Sequence, residues 1–201
     1  MVNPVWIIAA GLGAAFLMPL AERAGRPVMR LLMSAALLLM TYIPVRHYIE
    51  IVFCRAEAVM IYTAGFKPPF SIVLRMGAEE AALAASVGIL ALLGSLYMNR
   101  QLGRGGSAAH SLFLLFVMGI VGMVMTRDLF NLFVFLEVLA ISSYALIAME
   151  GSLRSVSAAL KYALAGGVAT VFLLIGIIFL YRAGGSLDID LLASSAAAAS
   201  A

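Results

Sequence analysis

TRDLFNLFVFLEVLAISSYALIAMEGSLRSVSAALKY, residues 126–162, sets a carboxylate and an ammonium inside segments otherwise suited to lipid. Glu137 and Lys161 are the two charges to explain. An ionisable group at membrane depth costs a few kcal/mol on insertion scales, so the default reading of such a group is functional. Read outward, the rest of the chain is the scaffold that makes both charges tolerable.

Of 201 residues, 64% are hydrophobic and 11% are charged, against roughly 25% charged in a soluble domain. Apolar runs near the ~20 residues needed to cross a ~30 Å hydrocarbon core recur along the sequence. The expectation is an all-α, polytopic integral membrane protein with about six transmembrane helices and no separate soluble domain. The thirteen Lys and Arg residues are scattered through connectors, with no basic block for nucleic acid. Cys54 is the single cysteine, so neither an intrachain disulfide nor a cysteine metal site is expected.

Spans are expected at 4–21, 28–45, 72–98, 110–125, 129–149 and 156–181, followed by a Gly/Ala/Ser-rich tail over 182–201. The first reads as a true span because no basic region precedes it and no cleavage site follows it. Gly11 and Gly13 within it suit close helix packing. Arg46 to Lys67 mixes charges, including His47, Glu50, Arg55 and Glu57, with apolar residues, which predicts an amphipathic surface stretch ended by Gly65 to Phe70. His47 reads as a solvated loop histidine. Arg75 and Glu79, four apart, suit an ion pair along one helix face. Glu80 is left either at headgroup level or turned toward a water-filled path. Asn99 to Ala109 reads as a flexible loop, with His110 at the interface beyond it. Asp128 suits the cap of the fifth span, its carboxylate accepting from free first-turn amides. Basic residues divide equally between the two membrane faces, and the short connectors with grouped arginines favour an outside N-terminus.

Glu137 lies nine residues past Asp128, ~14 Å along the axis and close to mid-bilayer. Its helical face carries Phe133, Ala140, Ile141 and Tyr144, so its side chain is expected to turn inward. Lys161 lies ~10 Å shallower from the opposite connector, too far for a direct salt bridge, so water or another helix is expected between them. A buried charge that fixes packing is the bland reading of Glu137. For Lys161 it is a side chain snorkelling to the interface.

The residues Asp128-Leu-Phe-Asn-Leu-Phe-Val-Phe-Leu-Glu137, Ser142-Ser143-Tyr144-Ala145-Leu146 and Ala159-Leu160-Lys161-Tyr162 resemble antiporter-like subunits. These subunits are shared by Mrp-type sodium/proton antiporters, membrane-bound hydrogenases and respiratory complex I. Gly176 to Tyr181, Gly184 to Leu187 and, more loosely, Gly65 to Ile72 support the resemblance, and the wording around Glu137 is most similar to the D-type subunit of Mrp antiporters and its hydrogenase counterparts. The resemblance implies proton-translocating roles for Glu137 and Lys161, and the N-terminal part of a longer fold. In that fold a lysine on a broken seventh helix is the glutamate's main partner. The chain stops short of that helix, which puts autonomous transport in doubt.

The resulting expectation is a membrane subunit of an ion-translocating complex in a prokaryotic cell membrane, handling protons or sodium ions. Glu137 carries the proton, and Lys161 tunes its affinity or passes protons onward. Tyr144, Asp128 and Glu80 are candidates for the surrounding shell. Other membrane subunits and the bilayer are the expected partners, with no nucleic acid, cofactor or metal. Any redox chemistry belongs to partner subunits. The alternative is a non-conducting structural or assembly subunit of such a complex.

Overall fold

A computed structural model describes residues 2–63 and 71–199. Six helices are long and apolar enough to cross a membrane: α1 (Val5–Ala24), α2 (Arg26–Cys54), α3 (Ala78–Tyr97), α5 (Gly106–Met125), α6 (Leu129–Ala148) and α7 (Leu153–Gly184). A short α4 (Asn99–Arg104) precedes α5, α8 (Ile189–Ala199) follows α7, and β1 (Val59–Tyr62) and β2 (Val73–Met76) form an antiparallel hairpin between α2 and α3. The protein is therefore an all-α membrane protein with one small β element.

Several boundaries differ from expectation for local reasons. Instead of giving way to a surface stretch near Val45, α2 runs to Cys54, and Arg55 in the left-handed conformation (φ 53°) ends it. Its charges do not break the helix, because Arg46 and Glu50 pair along it one turn apart at 2.7 Å. The third span does not begin at 72. Residues 73–76 alternate as a strand in register with β1, Val73 opposite Tyr62 and Met76 opposite Val59. Only at Gly77 does the chain turn into α3, its amide donating to Glu80 Oε2 at 3.0 Å. The expected loop at 99–109 holds α4 and the first turn of α5. Gly65 to Phe70, read as a breaker, lies outside the described residues.

The core sits among α1, α2, α3 and α5 and is built largely of methionine, alanine and leucine, including the fully buried Met18, Leu37, Met40, Met76, Leu114 and Met125. Unbranched methionines fill irregular gaps between helices that alanine and glycine bring close. A Cβ on Gly88 would lie 2.6 Å from Thr41 Oγ1, and one on Gly11 would lie 3.0 Å from Met118 Cβ. Gly13, expected to pack likewise, faces open space.

Backbone bonds organise one face of the bundle around the connector between α5 and α6. Leu74 bridges Thr126, the Arg127 amide donates to Val73 (2.8 Å), and Asp128 bridges Asp188 on the far side. The Leu129 amide donates to Leu187 and that of Ile189 to Arg127, both at 2.9 Å. The hairpin, residues 126–128 and residues 186–189 thus form one strapped layer, called here the hairpin side. The opposite face carries the connectors at Gly25, α4 and Met149–Ser152, with Arg23, Arg26, Arg30, Arg100, Arg104 and Arg154. All three ion pairs among the described residues lie toward the hairpin side: Arg46–Glu50, Arg75–Glu80 and Arg127–Asp190. None of the opposite-side arginines joins one.

Candidate functional site

The start of α6 is tightly held. Asp128 Oδ1 accepts from the Asn131 amide at 2.8 Å, and Thr126 Oγ1 accepts from the Asp128 amide and from Asn131 Nδ2 at 3.2 and 3.0 Å. The expected cap is present, and its strapped connector fixes where the helix begins. Further along, two glycines of α5 admit α6 closely. A Cβ on Gly122 would collide with the Phe135 ring, and one on Gly119 would lie 3.0 Å from Leu139.

That seating sets the direction of Glu137. It follows Phe135 by two residues, about 200° around the helix at 100° per residue, so it turns away from α5. The carboxylate is half-buried, and its Oε1 is sealed from solvent without a hydrogen-bond donor among the described residues. An acceptor oxygen without a donor costs about 1–3 kcal/mol if uncompensated. Protonation would turn the group into a donor as well. Glu137 shares its face with Tyr144, packed on Tyr162 of α7, and with the exposed Ile141 and Phe130, so it stands at the edge of the surface that α7 covers.

Lys161 lies on α7, whose inner face is defined by buried Ala159, Thr170 and Ile177. It follows Ala159 by two residues and points outward, exposed. Among the described residues neither Lys161 nor Glu137 takes part in an ion pair. The ring of Tyr144 meets Tyr162 edge-on, centroids 4.7 Å apart. Its hydroxyl covers Gly166 and occupies the place a Cβ there would need. This contact sets the levels: Lys161 is beside Tyr144, and Glu137 is seven residues, ~10 Å, deeper. The two charges are therefore separate in depth and in direction. A cavity of about 420 Å³ lies beside Tyr144 between α5, α6 and α7, walled mainly by Phe116, Ile120, Leu136 and Leu139 with the hydroxyls of Ser143 and Thr170.

Glu80 is buried, capping α3 and facing Arg75 Nε at 3.7 Å, so Arg75 pairs with Glu80 instead of Glu79. Sequence reasoning missed the neighbouring cluster, in which Arg127 binds Asp190 through two nitrogens, one contact at 3.2 Å, and Asp188 accepts from the amides of Asp190 and Leu191 at 3.0 Å. Hydrogen bonding from Arg127 holds the Asp190 carboxyl below its ordinary range, and the same bond raises Arg127. His47, read as solvated, is corrected as well. His47 and His110 are buried, each ring bonding through Nδ1 to a carbonyl one turn earlier, Ile43 at 2.9 Å and Gly106 at 2.7 Å. A carbonyl only accepts, so Nδ1 carries the proton in both. No His, Cys, Asp or Glu grouping suited to a metal exists among the described residues.

Six helices apolar enough to cross a membrane, one of them tightly capped and carrying an acid well inside it, make a polytopic membrane protein. Residues 126–200 match the family described as NADH:quinone oxidoreductase/Mrp antiporter, transmembrane. Over that segment the chain is similar to antiporter-like subunits. It is 39% identical over 138 residues to the N-type subunit of NADH-quinone oxidoreductase from Desulforudis audaxviator, covering 67% of this chain and 27% of the relative. Over 139 residues it is 37% identical to the D-type subunit of a probable K(+)/H(+) antiporter from Rhizobium meliloti, covering 69% and 26%. It thus spans about a quarter of the length of these relatives. Its fold matches a chain of the membrane-bound sulfane sulfur reductase, an archaeal respiratory membrane complex, with TM-score 0.87 and 32% identity over 95% of this chain and 39% of that one. A chain of the Mrp complex from Dietzia shares the fold, with TM-score 0.79 and 24% identity over 92% and 35%.

Proposed function

We propose that the chain serves an ion-translocating membrane complex and that Glu137 carries a proton reversibly. The observation behind this reading is a carboxylate oxygen sealed from solvent and without a donor among the described residues, just over two turns inside a membrane helix. Burial favours the neutral acid and a nearby cation favours the anion. A group poised between the two takes up and releases a proton as its surroundings change. Lys161, ~10 Å shallower, tunes that balance electrostatically. Tyr144 stands at the level of Lys161, Asp128 anchors the helix that carries the acid, and Glu80 supports the same layer through Arg75. Relatives named for sodium and potassium antiport support protons, exchanged against a monovalent cation, as the cargo. Other membrane subunits are the partners.

Glu137→Gln keeps the shape and removes titration. In the assembled complex, reconstituted in vesicles, it abolishes ion exchange while subunit content stays unchanged; normal exchange would sink the proposal.

The uncovered faces of α6 and α7 favour a second reading, a non-conducting assembly subunit on which neighbouring helices dock. It predicts intact exchange in Glu137→Gln and lost assembly when the α5–α6 contact is overfilled.

A further inference from the structure

Two titratable groups near the end of α2 are left unused by the proton reading, and each holds a buried atom without a partner. The His47 ring is fully buried; Nδ1 donates to the Ile43 carbonyl, and Nε2 is sealed from solvent with no hydrogen-bond partner among the described residues. Glu50 Oε1 accepts from Arg46 Nε at 2.7 Å, while its Oε2 is sealed and likewise without a partner. With Nδ1 carrying the ring hydrogen, both orphan atoms are acceptors and neither can satisfy the other. Helix geometry sets them side by side. At 100° per residue Arg46 lies ~100° to one side of His47, and Glu50, one turn on, lies ~60° to that same side and so between the two. Helical side chains lean toward the N-terminus, which brings the Glu50 carboxylate back over the turn that holds both. One oxygen takes Arg46, and the other is left for the His47 side. Arg46 acts most strongly on this carboxylate, and the charge of His47 acts on it too.

The surroundings add little competing charge. The contact of Gly88 with Thr41 sets the register of α3 on α2, and six residues along each helix places His47 about level with Ala82. There α3 brings Glu79 and Glu80, the latter engaged by the Gly77 amide and Arg75 of the hairpin. No titratable residue comes from α1 and its lead over 2–21 or from α5 over 111–125. On α2 itself Tyr42 and Tyr48 are exposed. Arg55 and Glu57 follow, in the connector to β1. We propose that His47 and Glu50 form a second proton-binding site, in which a proton taken up at Nε2 makes the imidazole a cation that donates to Glu50 Oε2. One proton thereby gives both orphan atoms a partner. It comes from solvent, Nδ1 keeps its hydrogen on Ile43, and the carboxylate stays ionised between two cations. Burial opposes a charge on the ring, and the carboxylate offsets it. Uptake ties down the last turn of α2, from which the hairpin departs. The site is closed by the chain itself and does not depend on the reading of Glu137.

The chain has two histidines, so nitrogen-15 labelling of the histidine rings in the full chain, held in lipid nanodiscs, gives two sets of signals, assigned with a His110→Gln chain. Ring shifts followed from about pH 8 down to about pH 5, where histidines change charge, show which nitrogen carries hydrogen. His47 holds it at Nδ1 alone at the alkaline end and gains a second at Nε2 as the pH falls. Glu50→Gln removes the partner charge and weakens proton binding at His47 about tenfold, a fall of about one pH unit in its midpoint. Arg46→Gln frees the carboxylate from its competing cation and moves the midpoint up. His110 shifts in neither variant. Glu137→Gln leaves the His47 titration unaltered, which separates this site from the proton carrier. A His47 ring that gains no hydrogen at Nε2 while the chain stays folded overturns the site, as does a midpoint unmoved by Glu50→Gln. Should Glu50→Gln fail to fold, a midpoint that does not rise in Arg46→Gln, an exchange at a half-exposed side chain, overturns it equally.

Discussion

The two halves of the bundle are finished to different degrees. In α1, α2, α3 and α5 between a third and just over half of the best apolar window is buried inside the chain, against 11% in α6 and 6% in α7. The first group has the methionine-filled core and no ionisable residue at mid-bilayer. The second holds Glu137 and Lys161 and leaves most of its surface uncovered. An acid can be carried in a membrane only where something other than lipid meets it. The acid thus lies in the half whose surface the described residues leave largely uncovered, while the other half is packed upon itself.

This contrast is open to attack by substitution, beginning where α5 seats α6. Gly122→Leu drives a branched side chain into the Phe135 ring. It should cost about 3 kcal/mol or more and deplete the subunit from membranes, measured by blotting isolated complex; normal abundance would mean that the two halves are not seated through this contact. Gly166→Ala meets the Tyr144 hydroxyl. Displacing that ring should cost about 1–3 kcal/mol and lower the thermal midpoint of the purified chain, without the loss of assembly expected at Gly122.

The strapped layer gives a pH test. Asp190 is held below its ordinary value by Arg127, so its contribution is present above the ordinary aspartate range, near pH 4, and disappears as the pH falls through the lowered value. Arg127, raised by the same bond, contributes at all lower pH values and is lost only at extreme alkalinity. The protection factors of the Leu129 and Ile189 amides, relative to intrinsic exchange at each pH, should therefore be high at pH 7 and fall below about pH 4. In Asp190→Asn the acid-dependent step should vanish. The smallest effect belongs to Gly13→Ala, which meets open space and should leave the midpoint unchanged or raise stability by about 0.5–1 kcal/mol; Gly11→Ala, against Met118, should lower it.

The spans and the two membrane-depth charges were legible because hydropathy and a charge within an apolar run are local signals. The extension of α2 was not, since Arg46, His47 and Glu50 look like a loop until Arg46 and Glu50 pair along a helix that buries His47. The hairpin was hidden because a four-residue strand, Val73 to Met76, resembles the first turn of the apolar helix after it. Lys161 was readable as a charge but not in its direction. That depends on which stripe of α7 packs, and the stripe is marked only by the modest residues Ala159, Thr170 and Ile177. Glu137 was expected to face inward; its direction follows from Gly122 and Phe135, partners on different helices.

Glu22 at the end of α1 receives the amide and hydroxyl of Ser107 at the start of α5, 85 residues later in the chain. At roughly 5–20 residues per second, α1 leaves the ribosome some 4 to 17 s before its seat exists. During that interval α1 can pack only against α2 or lie in lipid. The subunit's biosynthesis therefore has a built-in delay, ended when the start of α5 supplies the missing donors to a carboxylate already waiting at the membrane surface.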